Sequence, residues 1–106
     1  MSSHPNYLYR MTTIFAVTTM SQSLDSDTII NFILGALLNM VQDPIPNIRF
    51  NVAKAFEALI HELESSPAGV LVIKDQIVPA LQTLHDDRDA DVRYYAQRAL
   101  QAAQVL

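Results

Sequence analysis

Three arrays in this chain carry residue types that could do chemistry. Asp87, Asp89 and Asp91 alternate in DRDADV, like the opening of a calcium-binding loop with oxygen ligands at alternate positions. His61-Glu62 and His85-Asp86 pair an imidazole with a carboxylate, as metal ligation or acid–base catalysis requires. Asp43 with Arg49, and Asp87 with Arg93, repeat a carboxylate and a guanidinium six residues apart, and such an arginine could hold an anionic substrate.

The calcium and histidine readings fail on spacing, and the recurrence of the Asp–Arg pair in a repeat explains its arginines without a substrate. A calcium loop opening at Asp87 would need glycine where Val92 stands and a bidentate glutamate where Arg98 stands. The aspartates suit a helix N-terminus instead, where carboxylates meet the positive end of the dipole. His4, His61 and His85 fall on three different segments, and no HExxH is present. Gly35 and Gly69 cannot build a phosphate-cradling loop, and no serine lies in a nucleophile elbow. Tyr9, Phe50, Tyr94 and Tyr95 could stack on bases, but no basic groove accompanies them. The expectation is a non-enzymatic protein with no metal and no cofactor.

Composition narrows the partners. The chain has 106 residues, half of them apolar and 17% charged, which is a folding composition sized for one small domain. Net charge is −4 and no Lys/Arg run occurs, so nucleic acid and anionic membrane surfaces are poor partners. No apolar run reaches the ~18–20 residues needed to span a bilayer. Without cysteine there is neither a disulfide framework nor a thiolate metal site. No secretory signal is recognised, and a cytoplasmic location, possibly also nuclear, is expected.

The elements that would position these residues are helical. Helix 1 is expected over 5–21, with Leu8, Met11, Thr12, Phe15 and Thr19 on one face and Ile14, Val17 and Met20 widening it. Ser26 or Asp27 would cap a helix over 28–42, in which Ile29, Ile30, Ile33, Leu34, Leu37, Leu38 and Val41 form a wide stripe. Helix 3 spans 47–64, with Ile48, Val52, Phe56, Leu59 and Leu63 as core and small Ala53, Ala55 and Ala58 between them. A Ser65–Gly69 linker precedes helix 4 over 70–85, which Pro79 should kink or divide. Helix 5, over 89–104, uses Val92, Tyr95, Ala96, Ala99, Leu100 and Ala103. Phe50 and Tyr94 are expected to pack between neighbouring units.

The segments 3–16, 43–63 and 87–100 share one design, a polar or proline-bearing turn running into an amphipathic helix. Superposition aligns Leu8, Ile48 and Val92, at intervals of 40 and 44 residues. Helix pairs at a period of about 40–47 residues are the signature of HEAT and armadillo repeats. The expected fold is an all-α superhelix, a HEAT-repeat solenoid of about two and a half repeats and five helices. Its units are residues 1–22 (the B-helix of a truncated repeat), 23–64 and 65–106 (two whole repeats).

The string D-P-x-x-x-(V/I)-R before an Ala-rich helix resembles the HEAT repeat, and Pro79 in IVPALQTL matches a proline common in its A-helices. HPNYLYRMTTIFA, DPIPNIRFNVAKAF and DADVRYYAQRAL are similar to the last repeats of the protein phosphatase 2A scaffold subunits. The Ser65–Lys74 stretch departs from that pattern. The resemblance implies a rigid scaffold whose A–B turns stack into a ridge touching the phosphatase catalytic subunit. Carried over by motif, Tyr7 and Ile45 occupy contacting tips, with Pro46, Asn47, Asp89 and Ala90 beside them. It further implies that Asp43, Arg49, Asp87 and Arg93 form a structural ladder between repeats. A regulatory B-type subunit would be held by N-terminal repeats outside this chain. The alternatives are another HEAT adaptor, such as a nuclear-transport receptor, and a HEAT-like lyase; the first wants acidic B-helix faces and the second a clustered acid–base set, and neither is found.

Overall fold

The computed structural model describes residues 4–104, which form five helices with no strand among them. Helix α1 is His4–Met20, followed by a 3₁₀ turn at Ser21–Ser23. Helix α2 covers 26–39 and is made of Ser26–Thr28, a π turn at Ile29–Ile33, and Leu34–Asn39. Helix α3 is Pro46–Leu63. Helix α4 covers 67–85, as Pro67–Val72, a π turn at Ile73–Ile77, and Val78–His85. Helix α5 is Ala90–Gln104. Together they make an elongated all-α repeat solenoid of 43 × 26 × 18 Å.

Helix ends follow their caps. Asp25, and not Ser26 or Asp27, caps α2 by accepting from the Thr28 N–H at 2.8 Å. That helix stops at Asn39, short of the expected 42, because Met40–Gln42 fold into a turn ahead of Pro44. Ser66 caps α4 by accepting from Gly69 N–H at 3.0 Å, and Pro67 occupies the first turn. The helix therefore begins three residues earlier than expected, and Gly69 lies inside it, not in a linker. Proline at a first turn loses no hydrogen bond, so its presence there starts a helix where it was expected to delay one.

The interruption expected at Pro79 takes the form of a π turn just before it. Val78 N–H reaches back to the Ile73 carbonyl, as Leu34 N–H reaches Ile29 in α2. Gly35 stands in α2 where Pro79 stands in α4, 44 residues on. The wide turn thus belongs to the packing of both units and is not caused by proline.

Helix α3 is the centre of the molecule and packs against α1, α2, α4 and α5. Ile48, Val52, Ala55, Leu59 and Leu63 form one buried stripe and Ala53, Phe56 and Ile60 a second. Val92, Ala96, Ala99 and Ala103 bury the matching stripe of α5. On α1 the buried residues are Ile14, Val17 and, just past its end, Ser21. The face read first from its spacing is open: Leu8 is 64% and Phe15 74% exposed, and Thr12 and Thr19 are exposed too, while Ile14 and Val17, two of the residues that widen it, supply the buried side. Tyr95, expected on the inner stripe of its helix, is only half-buried. Phe50 stacks on Tyr95 with ring centroids 5.6 Å apart, whereas Tyr94 meets Tyr95 edge-on and stays largely exposed.

Two substitutions test this packing. Phe56→Ala removes the largest buried side chain at the centre and should cost about 3–5 kcal/mol in chemical denaturation. Gly69→Ala should lower the melting temperature despite alanine's better helix propensity, because its Cβ would collide with the Leu63 carbonyl of α3. Unchanged melting of Gly69→Ala would contradict this approach of the two helices.

Candidate protein-interaction ridge

Arg49 is the pivot between units. Its Nη1 donates to the Asp43 carbonyl at 2.7 Å, holding the turn that precedes its own helix. Its Nε and Nη2 donate to Asp87 Oδ2 and Oδ1, at 2.7 and 3.2 Å, holding the turn of the next unit. Planar bidentate pairing of this kind is what arginine provides and lysine does not. Both groups are nearly buried, with side chains 13% and 14% exposed.

The same bonding recurs one unit earlier. Arg10 Nη2 donates to Asp43 Oδ1 at 3.3 Å, and Arg10 Nε lies against Oδ2 as an ionic contact without hydrogen-bond alignment. Arg10 therefore stands where Arg49 stands, an interval of 39 residues, one short of the interval expected from aligning Leu8 with Ile48. That one-residue offset hides Arg10 from a ladder drawn on the sequence alone. The signal that could have found it was the need of Asp43 for a guanidinium from the preceding unit. Arg93 repeats half of the pattern: its Nη1 donates to the Asp87 carbonyl at 2.9 Å, and the side chain is exposed.

The aspartates also build the turns. Asp43 Oδ1 accepts from Ile45 N–H at 3.0 Å, and Asp87 Oδ1 accepts from Asp89 N–H at 2.9 Å. Asp89 Oδ1 in turn caps α5 by accepting from Asp91 and Val92 N–H. Burial alone would raise the Asp87 pKa; the Arg49 hydrogen bonds, the Asp89 N–H and the charges of Arg49 and Arg88 outweigh it, holding the carboxyl below its ordinary value.

Above this ladder lies the row of turns and helix starts. In the register set by the arginines, Tyr7, Pro46 and Ala90 occupy one position in successive units. Asn47 Nδ2 donates to Tyr7 Oη at 2.7 Å, so the row is linked across units. Pro46, Asn47 and Ala90 are exposed, while Tyr7 and Asp89 are half-buried. Ile45 departs from the exposed anchor expected: it is half-buried and packs against the core, because its extended backbone turns the side chain under the start of α3. Among the described residues no three His, Cys, Asp or Glu side chains gather as a metal site, and no helix is long and apolar enough to cross a membrane.

A row of short turns on rigid helix pairs, with its ionisable groups committed to structure, defines a repeat scaffold. Residues 33–63 match the HEAT repeat model, and the chain is a HEAT-repeat solenoid. It is homologous to two yeast proteins whose names make them the A-type regulatory subunits of protein phosphatase PP2A. The match is 63% identical over 59 residues, 56% of this chain, for the Schizosaccharomyces pombe protein. It is 36% identical over 102 residues, 95% of this chain, for that of Saccharomyces cerevisiae. The mouse Serine/threonine-protein phosphatase 4 regulatory subunit 1 is 27% identical over 94 residues, 87% of this chain. The chain spans only 10%, 16% and 10% of the lengths of these relatives, respectively.

Arg49→Ala should destabilise by on the order of 2–3 kcal/mol, since it strips a largely buried carboxylate of its guanidinium partner and leaves the Asp43 carbonyl without that donor, and Arg49→Lys should recover only part of this. A melting temperature unchanged in Arg49→Ala would contradict the pivot. Because the folded pKa of Asp87 is depressed, its contribution is present above the unfolded value of 3.8 and lost as pH falls through the lower folded value. Stability of the wild type should therefore drop more steeply with acid below about pH 4 than that of Asp87→Asn.

Proposed function

We propose that this chain is a non-catalytic scaffold module of a PP2A-type serine/threonine phosphatase. It presents the ridge of Tyr7, Pro46, Asn47, Asp89 and Ala90 to the catalytic subunit, with Ile45 bracing the central turn from beneath. The observation that carries this reading is homology along almost the whole chain to a PP2A regulatory protein of the A type, joined to an exposed row of turns in one register. The charged residues most suited to chemistry are spent on the ladder, so the module would position an active site belonging to another protein. Its stiffness suits that role: groups fixed before binding lose little conformational entropy on docking.

A titration against purified PP2A catalytic subunit tests the proposal. Saturable binding should weaken at least tenfold in Asn47→Arg and Ala90→Arg, whose native side chains are exposed, with melting temperatures unchanged. Tyr7→Asp should weaken binding as well, and Ile45→Asp should lower binding and melting temperature together, because Ile45 packs against the core. Failure of a well-folded wild type to bind would count against the ridge as a self-sufficient contact.

A further inference from the structure

One nucleophilic side chain at the seam between units has no part in the ladder or the ridge. Thr83 lies in the last turn of α4, is exposed, and its hydroxyl donates to the Pro79 carbonyl over a long 3.3 Å. The side chain lines an open groove of about 410 Å³ together with Gln42, Asp43, Arg49, Asp87 and Arg88. It therefore shares this groove with the Arg49–Asp87 pair that joins the two units.

The sequence around it has no counterpart elsewhere in the chain. It reads TLHDDRDAD, with carboxylates three, four and six residues after the hydroxyl. Of all the serines and threonines, only Thr83 has a carboxylate three residues C-terminal to it. The fold accounts for two of these acids: Asp87 receives Arg49, and Asp89 caps α5. It does not account for Asp86, which is exposed and engaged by no ion pair among the described residues.

We propose that Thr83 is a phosphorylation site for an acidophilic serine/threonine kinase, read through Asp86. A kinase of this class holds its substrate through basic side chains set downstream of the reacting hydroxyl. An unpaired carboxylate at the third position supplies the complementary charge. In the transfer, Thr83 Oγ attacks the γ-phosphorus of ATP held with Mg²⁺ in the kinase. The bond to ADP breaks as the new O–P bond forms, and the hydroxyl proton passes to the catalytic carboxylate of the kinase. The segment must be extended at that moment, and its place in α4 allows this. Residues 83–86 end the helix, and of their side chains Leu84 alone is buried, so the last turn can open without unfolding the rest of the core.

The phosphate acts on the ladder. It brings a charge of about −1.5 to −2 to the C-terminal end of α4, where the helix dipole is already negative. It also enters a groove that holds the carboxylates of Asp43 and Asp87. Arg49 is the nearly buried cation there, and a phosphate competes with Asp87 for its fork at the expense of the bond between units. Arg88 is exposed, and water weakens what it can offer in return. Phosphorylation thus loosens the joint between the two units, whichever protein the ridge binds.

The test incubates the folded full chain with purified casein kinase II and Mg·ATP and follows incorporation by mass spectrometry. A single phosphate should appear and map to Thr83. Asp86→Asn should slow incorporation at least tenfold and Thr83→Ala should abolish it, with circular dichroism unchanged in both, since both side chains are exposed. Ser65→Ala, an exposed hydroxyl with no downstream acid at the third position, should leave it unchanged. The phosphorylated chain should melt at least about 4 °C below the unmodified one. In Arg49→Lys, which has already lost the fork, the same phosphate should lower melting by less than half as much. Modification at another residue, modification of heat-denatured chain only, or an Asp86→Asn chain modified at the wild-type rate overturns the site. A phosphorylated chain that melts at or above the unmodified temperature overturns the action on the ladder.

Discussion

The architecture depends on a guanidinium that serves two turns at once. Arg49 ties the Asp43 carbonyl of its own turn to the Asp87 carboxylate of the next, so the spacing and rotation between units are set by one rigid fork. Hydrophobic stripes alone would let neighbouring helix pairs slide, because apolar contact has no direction. The fork does not. Arg10 pairs with Asp43 one unit earlier through one hydrogen bond and an ionic contact, and α3 lies between the two ion pairs.

This explains why the residues best suited to chemistry do none here. Asp43 and Asp87 spend their remaining lone pairs on the N–H groups of Ile45 and Asp89, and Asp89 spends its own on the start of α5. A carboxylate held this way is fixed and partly desolvated, which suits a scaffold and removes it from acid–base work. The turns above are tied to this ladder, and Asn47 links the row to Tyr7 across units.

The units are alike in design and unlike at their margins. Alanine at 96, 99 and 103 lets α5 lie close to its neighbour, whereas Gln97 and Gln104 of that helix are exposed. The first unit has the reverse character, with leucine and phenylalanine where its neighbours carry polar groups.

Much of this was legible in the chain itself. The five helices, the repeat and the stripe of α3 follow from periodicity, and the recurrence of Asp43 with Arg49 and of Asp87 with Arg93 from turn chemistry at a near-constant interval; that these four form a ladder came from the resemblance to HEAT repeats. Those signals are local, set by 3.6-residue geometry and by the capping preferences of Asp and Ser. Only the tertiary structure decided which stripe of α1 is buried, since Leu8–Phe15 and Ile14–Val17 are both apolar at helical spacing and differ only in whether a neighbour lies opposite. It also decided the place of Arg10, because a register is read from the partner across the gap and α1 carries no D-P turn to mark it. The depth of Ile45 and the burial of Gly69 are matters of the same kind: each depends on a backbone approaching from another element, and no pattern along a single segment encodes that distance.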